Sequence, residues 1–309
     1  MSLKEKRIGV LMGGDSSERN VSLKSGMAVF EALKDSGLNV VSLEVKKETE
    51  DEVKSLLSNN QVDLVFIAMH GGFGEDGHLQ HILEKIHMPF TGPKEKSSRL
   101  AMDKLASRRL FEKSGLLVPA YVCLKKTDSL KAIDRLHFPL VVKPASQGSS
   151  IGISFIETPS QVEEAVRLAF QYDDSVLVEE FVKGREITVS VLDGKPLPIV
   201  EIIPKNKFFD FQAKYEKGMT DYIVPADLSD AVARASQKDA VTAYRALDCR
   251  HLSRVDIILK DDVAPTVLEV NTIPGFTATS LFPKAARAAG VSFQELCTRL
   301  LELAVRDNG

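Results

Sequence analysis

The N-terminal part of the chain alternates between apolar runs of strand length and longer segments with helical periodicity. RIGVLM (7–12), LNVVSLEV (38–45) and VDLVFIAM (62–69) have the length and composition of buried strands. VSLKSGMAVFEALKDSG (21–37) has helical spacing and ends in glycine, a common helix stop. Strands that alternate with helices predict a doubly wound parallel α/β sheet, whose ligands bind beyond the carboxyl ends of the strands. This order of elements constrains the architecture more strongly than any other feature of the sequence.

Two glycine-containing turns follow predicted strands and therefore fall at the ligand-binding edge of this sheet. GGDSSERN (13–20) lacks the GxGxxG spacing of a dinucleotide site, and Asp15 and Glu18 would repel a pyrophosphate. An acid beside the free N–H groups of a helix start could instead hold a substrate ammonium. The alternative is a helix cap made by the serines and acids of this turn. HGGFGEDG (70–77) is the second such turn.

From about Pro93 the pattern changes to short strands with tight turns, which predicts an antiparallel α+β sheet with helices on one face. Helices are predicted at 97–115 and near 128–136. EITVSVLDGKPLPIVEII (186–203) has the pattern of a hairpin that turns at Asp-Gly. Residues 204–229 form an irregular stretch, and a loop of that length inside a compact domain is usually functional or disordered.

Two strands near the C-terminus, RVDIIL and LEVN, carry a group of polar residues that suits a metal ion. Alternate residues of a strand share a face, so Arg254 lies beside Asp256, and Glu269 lies beside Asn271. Two carboxylates and an amide oxygen from neighbouring strands form a hard-oxygen site of the kind that binds Mg²⁺ with phosphate. A structural ion pair of Arg254 with Asp256 or Glu269 is an equally open interpretation.

VVKPASQGSSIGI (141–153) has the composition of an anion-binding loop. Lys143 ends an apolar strand, and the small residues that follow allow the backbone to fold closely over phosphate oxygens. Lys104, in MDKLASRR, is a second candidate cation. The GxxxxGK[ST] order of a P-loop does not occur in the sequence. Taken alone, the loop is also compatible with a flexible polar turn.

Composition limits the classes of partner and compartment. A net charge of −3 over 309 residues gives no basic surface for nucleic acid, so any anion site must be a local cluster. The three scattered cysteines fit a reducing compartment, and Cys249 and His251 lack partners with zinc spacing. The N-terminus shows no apolar signal region, and no apolar run reaches the length of a membrane span. We therefore expect a cytoplasmic protein that binds neither nucleic acid nor membrane.

A series of motifs occurs in order along the chain: GGDSSERNVSLKSG, HGGFGEDGHLQHIL, MDKLASRRLFEKSGL, VVKPASQGSSIGI, VEEFVKGREITV, FFDFQAKYEKG, RVDIIL and LEVNTIPGFTATSL. In order and spacing, from about residue 8 to 305, they resemble the motifs of D-alanine–D-alanine ligases, a family of the ATP-grasp superfamily. The pairing of HGxxGEDG with LEVNTxPG is the most specific part. The resemblance implies an ATP-grasp fold with an N-terminal α/β substrate-binding domain (1–93), a central ATP-grasp subdomain (94–178), and a C-terminal subdomain with the metal site and lid loop (179–309).

The resemblance also implies where ATP and metal ions bind. ATP would lie between the central and C-terminal sheets, with Lys104 and Lys143 at its α- and β-phosphates. The residues implied for the other nucleotide contacts are Ser149 and Ser150 in the phosphate-covering loop, Glu179, Glu180, Phe181 and Val182 in the adenine hinge, Glu186 at the ribose, and Lys214 in the lid. Asp256, Glu269 and Asn271 would bind two Mg²⁺ ions, for which Mn²⁺ can substitute.

The implied reaction joins two D-alanine molecules through an acyl phosphate. The first carboxylate attacks the γ-phosphate of ATP, and the amine of the second D-alanine then attacks the activated carbonyl. The residues implied for these steps are Glu18 and His70 at the first substrate, Ser280 at the second carboxylate, Lys214 and Arg254 at the transferring phosphoryl group, Gly275 with Arg254 at the oxyanion, and a chain from Tyr215 through Ser149 to Glu18. Tyr215 favours an amine as the second nucleophile, because relatives that make D-alanyl-D-lactate typically carry histidine there. Residues 204–229 would form a lid that keeps water from the acyl phosphate.

The resemblance places the product in peptidoglycan precursor synthesis, hence in cell-wall biogenesis and cell shape, and implies a homodimer formed through the N-terminal domain. The nearest alternatives are a D-alanine–D-lactate or a D-alanine–D-serine ligase with the same fold. A non-catalytic ATP-grasp protein that only binds nucleotide would be expected to lose metal ligands or the lid lysine, and the sequence retains all of these residues. An NAD-linked enzyme built on the N-terminal strands lacks the glycine spacing.

Overall fold

The computed structural model describes residues 2–146, 148, 152–205 and 220–307. Its first sheet is parallel, in the order β2-β1-β3, and consists of β1 (Ile8–Gly13), β2 (Val40–Val45) and β3 (Leu64–Ile67). The helices of this part are α1 (Arg19–Asp35), α2 (Glu50–Asn59), α3 (Gly72–Glu75) and α4 (His78–Lys85). Every residue of β1 and β3 is buried, because α1 covers one face of the sheet and α2 with α4 covers the other. The predicted parallel α/β arrangement is confirmed.

The second sheet is antiparallel and has the order β4-β7-β5-β6. Its strands are β4 (Tyr121–Lys125), β5 (Leu140–Pro144), β6 (Ser154–Ile156) and β7 (Ser175–Glu180), and α7 (Val162–Ala169) packs on it. The helices α5 (Glu95–Met102) and α6 (Lys104–Lys113) precede this sheet in the chain, and their apolar residues pack in the core of the third sheet. The single helix predicted at 97–115 is wrong, because Asp103 has an extended backbone and caps α6 with its carboxylate. The helix predicted near 128–136 is a 3₁₀ helix, Leu130–Arg135.

The third sheet has the order β11-β10-β8-β12-β13, with β9 paired to β8. Its strands are β8 (Gly184–Leu192), β9 (Lys195–Pro196), β10 (Val200–Pro204), β11 (Thr220–Ile223), β12 (Leu252–Lys260) and β13 (Ala264–Asn271), and α8 (Asp230–Ala246) packs against it. The predicted hairpin at Asp-Gly is confirmed, since Asp193 and Gly194 join β8 to β9 with positive φ angles of 49° and 72°. Two such angles in a two-residue turn match the right-handed twist of the strands.

The last two helices, α9 (Leu281–Ala288) and α10 (Phe293–Arg306), return to the first sheet. Phe276, Phe282 and Leu300 are buried in the same apolar cluster as Ile8 and Val10 of β1. The C-terminal helices therefore pack against the N-terminal sheet. The division of the chain into three domains stays a prediction. No helix within the described ranges has both the length and the apolarity needed to cross a membrane.

Arg250 and His251, which directly precede β12 of the third sheet, bind the segment at Phe90 and Gly92 that follows the first sheet. His251, which is 1% exposed, accepts the Gly92 N–H at Nδ1 over 3.1 Å. Its Nε2 therefore carries the proton and donates to Asp307 Oδ2 over 3.0 Å. Arg250 Nε donates to the Gly92 carbonyl over 2.9 Å, and its guanidinium lies 4.7 Å from the centroid of the Phe90 ring.

This junction makes stability depend on pH. Burial, aided by the charge of Arg250, lowers the pKa of His251 from 6.5 to about 4 against the opposing effect of Asp307. Between these pH values the unfolded chain binds a proton that the folded protein does not, so stability falls as the pH drops from 6.5 towards 4. One such histidine costs up to about 3 kcal/mol of unfolding free energy over that range.

The variant His251→Asn tests this dependence, because asparagine tolerates the left-handed backbone at φ 61° and retains an acceptor for Gly92 but does not titrate. We expect urea unfolding curves to show that the wild-type protein loses more free energy than the variant between pH 7 and pH 4. The excess should approach about 3 kcal/mol. Parallel dependences of the two proteins on pH would contradict the assignment.

Candidate active site

A cavity of 490 Å³ opens where the carboxyl edge of the first sheet meets the ends of β12 and β13. It brings together eight of the residues singled out from the sequence: Glu18, His70, Lys104, Arg254, Glu269, Asn271, Gly275 and Ser280. Ser149, Ser150, Lys214 and Tyr215 lie outside the described residues. The cavity is lined by residues from all three segments that the sequence motifs assign to different domains, with Lys104 and Gly148 from the central one.

The acidic end of the cavity is built on the turns after β1 and β3. Glu18, which is 8% exposed, occupies the N-cap of α1, but its carboxylate makes no capping hydrogen bond there. Ser16 Oγ accepts the Glu18 N–H over 3.2 Å and donates to the His70 carbonyl over 2.9 Å. Gly71 has φ 73°, and a Cβ at this position would lie 2.8 Å from Glu18 Oε2. Only glycine allows the two turns to approach this closely.

His70 connects this end to the loop after β13. It is 4% exposed; its Nδ1 lies 3.1 Å from the Ile273 carbonyl and its Nε2 lies 2.8 Å from Ser25 Oγ. Glu75 Oε1 is 3.6 Å from Nδ1. Burial, together with the negative charge of Glu18, raises the pKa of the Glu75 carboxyl, and His70 opposes that change. Glu75 was not singled out from the sequence, although it lies in the HGGFGEDG turn beside Asp76.

A buried charge cluster lies on the face of the second sheet beside the cavity. Lys143 Nζ donates to Glu179 Oε1 over 2.6 Å, and Arg108 Nη2 donates to Glu179 Oε2 over 2.5 Å. Burial alone would raise the pKa of Glu179, but Arg108, Lys143 and Lys104 outweigh it and lower that pKa. Three cations around one buried carboxylate leave an excess of positive charge, which suits a bound polyphosphate.

Arg108 is the member of this cluster that sequence reasoning missed. It is fully buried, and among the described residues its Nε and Nη1 atoms have no hydrogen-bond partner. A signal existed, because Arg108 follows Lys104 by one helical turn in α6 and so shares its face. The Glu179 carboxylate is engaged with Lys143 and Arg108, and thus it positions the lysine.

The other residues of the predicted adenine hinge follow Glu179 directly. Glu180 Oε1 accepts the His137 backbone N–H over 2.9 Å, and the Phe181 N–H donates to the Pro139 carbonyl over 2.9 Å. Val182 lies between β7 and β8, and Glu186 lies in β8 opposite Ile258. These contacts fix the course of the turn, while the assignment of the turn to adenine stays a prediction.

The candidate metal ligands lie where β12 pairs with β13. Asp256 is opposite Glu269, and Arg254 is opposite Asn271, in the antiparallel register. Arg254 donates to both carboxylate oxygens of Asp256 over 2.9 and 2.8 Å, and Asn271 Nδ2 donates over 3.0 Å. Thr188 Oγ1 is 2.7 Å from Asp256 Oδ1. The ion pair expected from the sequence is therefore present in this structure.

The same residues also fit a divalent cation by their donor chemistry. Asp256 and Glu269 supply two carboxylates, and Asn271 supplies an amide oxygen, all at neighbouring positions of one strand pair. Within the described ranges, no group of three or more His, Cys, Asp and Glu side chains could hold a metal ion. Asp256 and Glu269 with the Asn271 amide are a different set of donors, and metal binding at this position stays a prediction.

The loop after β13 supplies the remaining predicted residues. Ser280 is the N-cap of α9, and its Oγ accepts the Thr277 N–H over 3.0 Å. A Cβ on Gly275 would lie 3.2 Å from Ser280 Oγ, so the Gly275 backbone and this hydroxyl are close neighbours. Both line the cavity. A backbone donor and a hydroxyl at the same edge suit a carbonyl and a carboxylate of one substrate pair.

Family models match most of the chain. The model of the D-ala D-ala ligase C-terminus matches residues 110–302, and the model of the D-ala D-ala ligase N-terminus matches residues 45–93. The D-alanine–D-alanine ligase of Pelotomaculum thermopropionicum is 42% identical over 98% of each chain. That of Halalkalibacterium halodurans is 42% identical over 97% of this chain and 99% of its own.

Solved structures agree with these sequence matches. The D-alanine–D-alanine ligase from Bacillus anthracis complexed with ATP has a TM-score of 0.87 and 33% identity, covering 98% of both chains. The VanG D-Ala:D-Ser ligase from Enterococcus faecalis has a TM-score of 0.84 and 31% identity, covering 97% of this chain and 99% of the other. Both similarities extend over all three sheets.

The buried cluster predicts different outcomes for two adjacent arginines of α6. Arg108→Met removes a partner of Glu179 and should lower the unfolding free energy by about 3 kcal/mol. Because Lys143 then loses its fixed position, the dissociation constant for ATP should rise by at least about 10-fold. Arg109 is exposed on the same helix, and Arg109→Met should change stability by no more than about 0.5 kcal/mol.

Calorimetric titration with ATP at low temperature, where both variants remain folded, measures the comparison. Equal affinities of the Arg108→Met and Arg109→Met proteins for ATP would show that the cluster does not serve the nucleotide.

Proposed function

The chain belongs to the D-alanine–D-alanine ligase family, and we propose on that premise that it joins two D-alanine molecules at the expense of ATP. The products are D-alanyl-D-alanine, ADP and phosphate. The observation that carries this proposal is the 490 Å³ cavity, whose lining includes Glu18 at its acidic end as well as Arg254 and Gly275. A cation-rich cluster lies beside it. The acidic end suits an amine, the cation-rich cluster suits a triphosphate, and Arg254 with Gly275 suits an activated carboxyl group.

In the first step the carboxylate of one D-alanine attacks the γ-phosphorus of ATP, and ADP leaves. Both reactants are anionic, so positive charge must surround the transferring phosphoryl group. Lys104, Lys143 and Arg254 are the cations that we assign to this purpose. Glu18 holds the ammonium of the same D-alanine and orients its carboxylate, and His70 supports that turn.

In the second step the amine of the other D-alanine attacks the acyl phosphate carbonyl. The amine loses a proton, the C–N bond forms, and the C–O bond to phosphate breaks. Negative charge develops on the carbonyl oxygen, where the Gly275 N–H and Arg254 stabilise it. Ser280, close to Gly275, receives the carboxylate of the second substrate.

Asp256, Glu269 and Asn271 are the residues that would hold Mg²⁺, or Mn²⁺ in its place, and the bound ions would neutralise phosphate charge. Arg254, which contacts Asp256, links this group to the reacting phosphoryl group. The roles assigned to Ser149, Ser150, Lys214 and Tyr215 rest on the family resemblance alone. The same holds for the adenine hinge, the ribose contact of Glu186 and the water-excluding lid at 204–229.

The biological setting is proposed on the same basis. A dipeptide of D-alanine serves peptidoglycan precursors, which are assembled in the cytoplasm. We also propose a homodimer formed through the N-terminal domain. Measurement of the mass of the protein in solution by light scattering tests the last point, since a mass of one chain would exclude it.

The function is tested by measuring phosphate release from ATP with Mg²⁺ and D-alanine, with products identified by mass. We expect D-alanyl-D-alanine from D-alanine and no product from L-alanine. Phosphate release without any dipeptide would show that the acyl group goes to a different acceptor. No ATP turnover at all would favour a protein that only binds nucleotide.

A D-alanine–D-serine ligase is the second candidate, because the fold also matches the VanG D-Ala:D-Ser ligase at a TM-score of 0.84. Competition assays with D-serine and D-lactate, each mixed with D-alanine, separate the three specificities. The proposed function predicts D-alanyl-D-alanine as the main product in both mixtures. A mixed dipeptide or a depsipeptide as the main product would contradict it.

Replacement of Glu269 tests the metal site separately. Glu269→Gln removes one of its carboxylates and should abolish dipeptide formation and weaken Mg²⁺ binding, while the circular dichroism spectrum stays that of the wild-type protein. Asp262, exposed in the turn between β12 and β13, provides the control, because Asp262→Asn removes an acid from the same hairpin. Turnover by the Glu269→Gln variant near the level of the Asp262→Asn control would contradict the assignment.

A further inference from the structure

Ser25, to which the proposed reaction assigns no role, belongs to a hydrogen-bond relay with His70. It lies in α1, two turns after Glu18, and is fully buried. Its Oγ accepts the Phe276 backbone N–H over 3.2 Å and lies 2.8 Å from His70 Nε2. A serine at a helix position that faces the core would ordinarily bond its own helix. Ser25 instead contacts two other parts of the chain.

The proton positions in this relay follow from the partners. The Ile273 carbonyl can only accept, so His70 Nδ1, 3.1 Å away, carries a proton. In the neutral ring Nε2 is then an acceptor, and Ser25 donates to it. The Ser25 oxygen remains free to accept the Phe276 N–H. Every donor thus has an acceptor, with the imidazole neutral.

The relay holds both ends of the segment from Ile273 to Phe276. His70 binds the carbonyl at one end, and Ser25 binds the N–H at the other. The Phe276 ring adds an apolar anchor, since it is 2% exposed and its centroid is 5.5 Å from that of Phe66 in β3. Gly275 lies between the two fixed ends, and its peptide lines the cavity.

We propose that Ser25 is a positioning residue that, with His70, aims the Gly275 N–H at the carbonyl oxygen under attack. The inference deepens the proposed function and rests on it. Helix α1 carries Glu18 at its start and Ser25 further along, so one rigid element sets both the ammonium site and the direction of the oxyanion donor. A donor aimed in advance needs no rearrangement when charge develops.

Ser25→Ala removes both hydrogen bonds and tests the proposal. Loss of a whole oxyanion donor costs about 100- to 1,000-fold in kcat, so a displaced donor should cost at least about 10-fold. The KM for ATP should stay within about 3-fold, because the nucleotide cluster is untouched. Ser25→Cys keeps a side chain of similar size with a weaker hydrogen-bonding group. Its kcat should therefore lie between the values of the wild-type protein and of Ser25→Ala.

Ser22 offers a matched control for the structural cost. It lies in the same helix, is equally buried, accepts the Gly13 N–H over 2.8 Å and donates to the Ala68 carbonyl over 2.8 Å. Ser22→Ala therefore loses as many buried hydrogen bonds, but none that reaches the segment with Gly275. Both alanine variants should show similar falls in melting temperature, and only Ser25→Ala should show the large fall in kcat.

A second measurement does not depend on turnover. A phosphinate dipeptide analogue has a tetrahedral phosphorus that imitates the carbonyl carbon under attack, so its affinity reports on the oxyanion donor. Its dissociation constant, measured with ATP present, should rise in Ser25→Ala by the same factor as kcat falls, and should stay near the wild-type value in Ser22→Ala.

Different results would exclude the proposed function and the role of Ser25. Absence of D-alanyl-D-alanine from the wild-type reaction would remove the proposed function and the inference with it. Normal dipeptide formation by the wild-type protein, with kcat of Ser25→Ala within about 3-fold of it, would overturn the inference alone. Equal losses of kcat in Ser25→Ala and Ser22→Ala, in proportion to melting temperature, would also overturn it.

Discussion

The packing of the C-terminal helices on the first sheet is the constraint on which the site depends. Leu296 and Leu300 of α10 are fully buried in one cluster with Ile8 and Val10 of β1. Burial of each leucine stabilises the fold by about 2 kcal/mol. Because this contact brings the end of the chain back to its beginning, the loop after β13 reaches the carboxyl edge of the first sheet. The cavity forms between those two elements, and the relay through Ser25 joins them again at the level of hydrogen bonds.

The charged residues divide the site into a positive region around Glu179 and a negative region around Glu18. Glu179 is surrounded by Arg108, Lys143 and Lys104, so that region is deficient in negative charge, and burial makes the deficiency costly in the absence of a ligand. The region around Glu18 has the opposite character, because a second acid, the half-buried Glu75, has its pKa raised there. A triphosphate suits the first region and an ammonium suits the second. In the proposed reaction this division separates the triphosphate from the ammonium before the two reactants come into contact.

Much of this organisation was accessible from the sequence, for identifiable reasons. Strand and helix periodicities predicted the parallel sheet, and the Asp-Gly turn predicted the hairpin, because both signals are local. The convergence of distant motifs on one cavity followed from the family resemblance and not from any local pattern. The break at Asp103 was missed, because its capping contacts compete with a helical pattern that continues on both sides. Arg108 and Ser25 were missed since their importance comes from partners more than 70 residues away, as for Arg108 with Glu179 and Ser25 with Phe276.

The central claim is that the carboxyl group of D-alanine is activated by phosphoryl transfer from ATP inside this cavity. The most direct measurement uses D-alanine with ¹⁸O in its carboxyl group and analyses the released phosphate by mass. Attack of the carboxylate on the γ-phosphorus, followed by attack of the amine on carbon, predicts one ¹⁸O atom in each phosphate molecule and an unlabelled ADP. Phosphate without ¹⁸O, or ¹⁸O in AMP, would contradict the account.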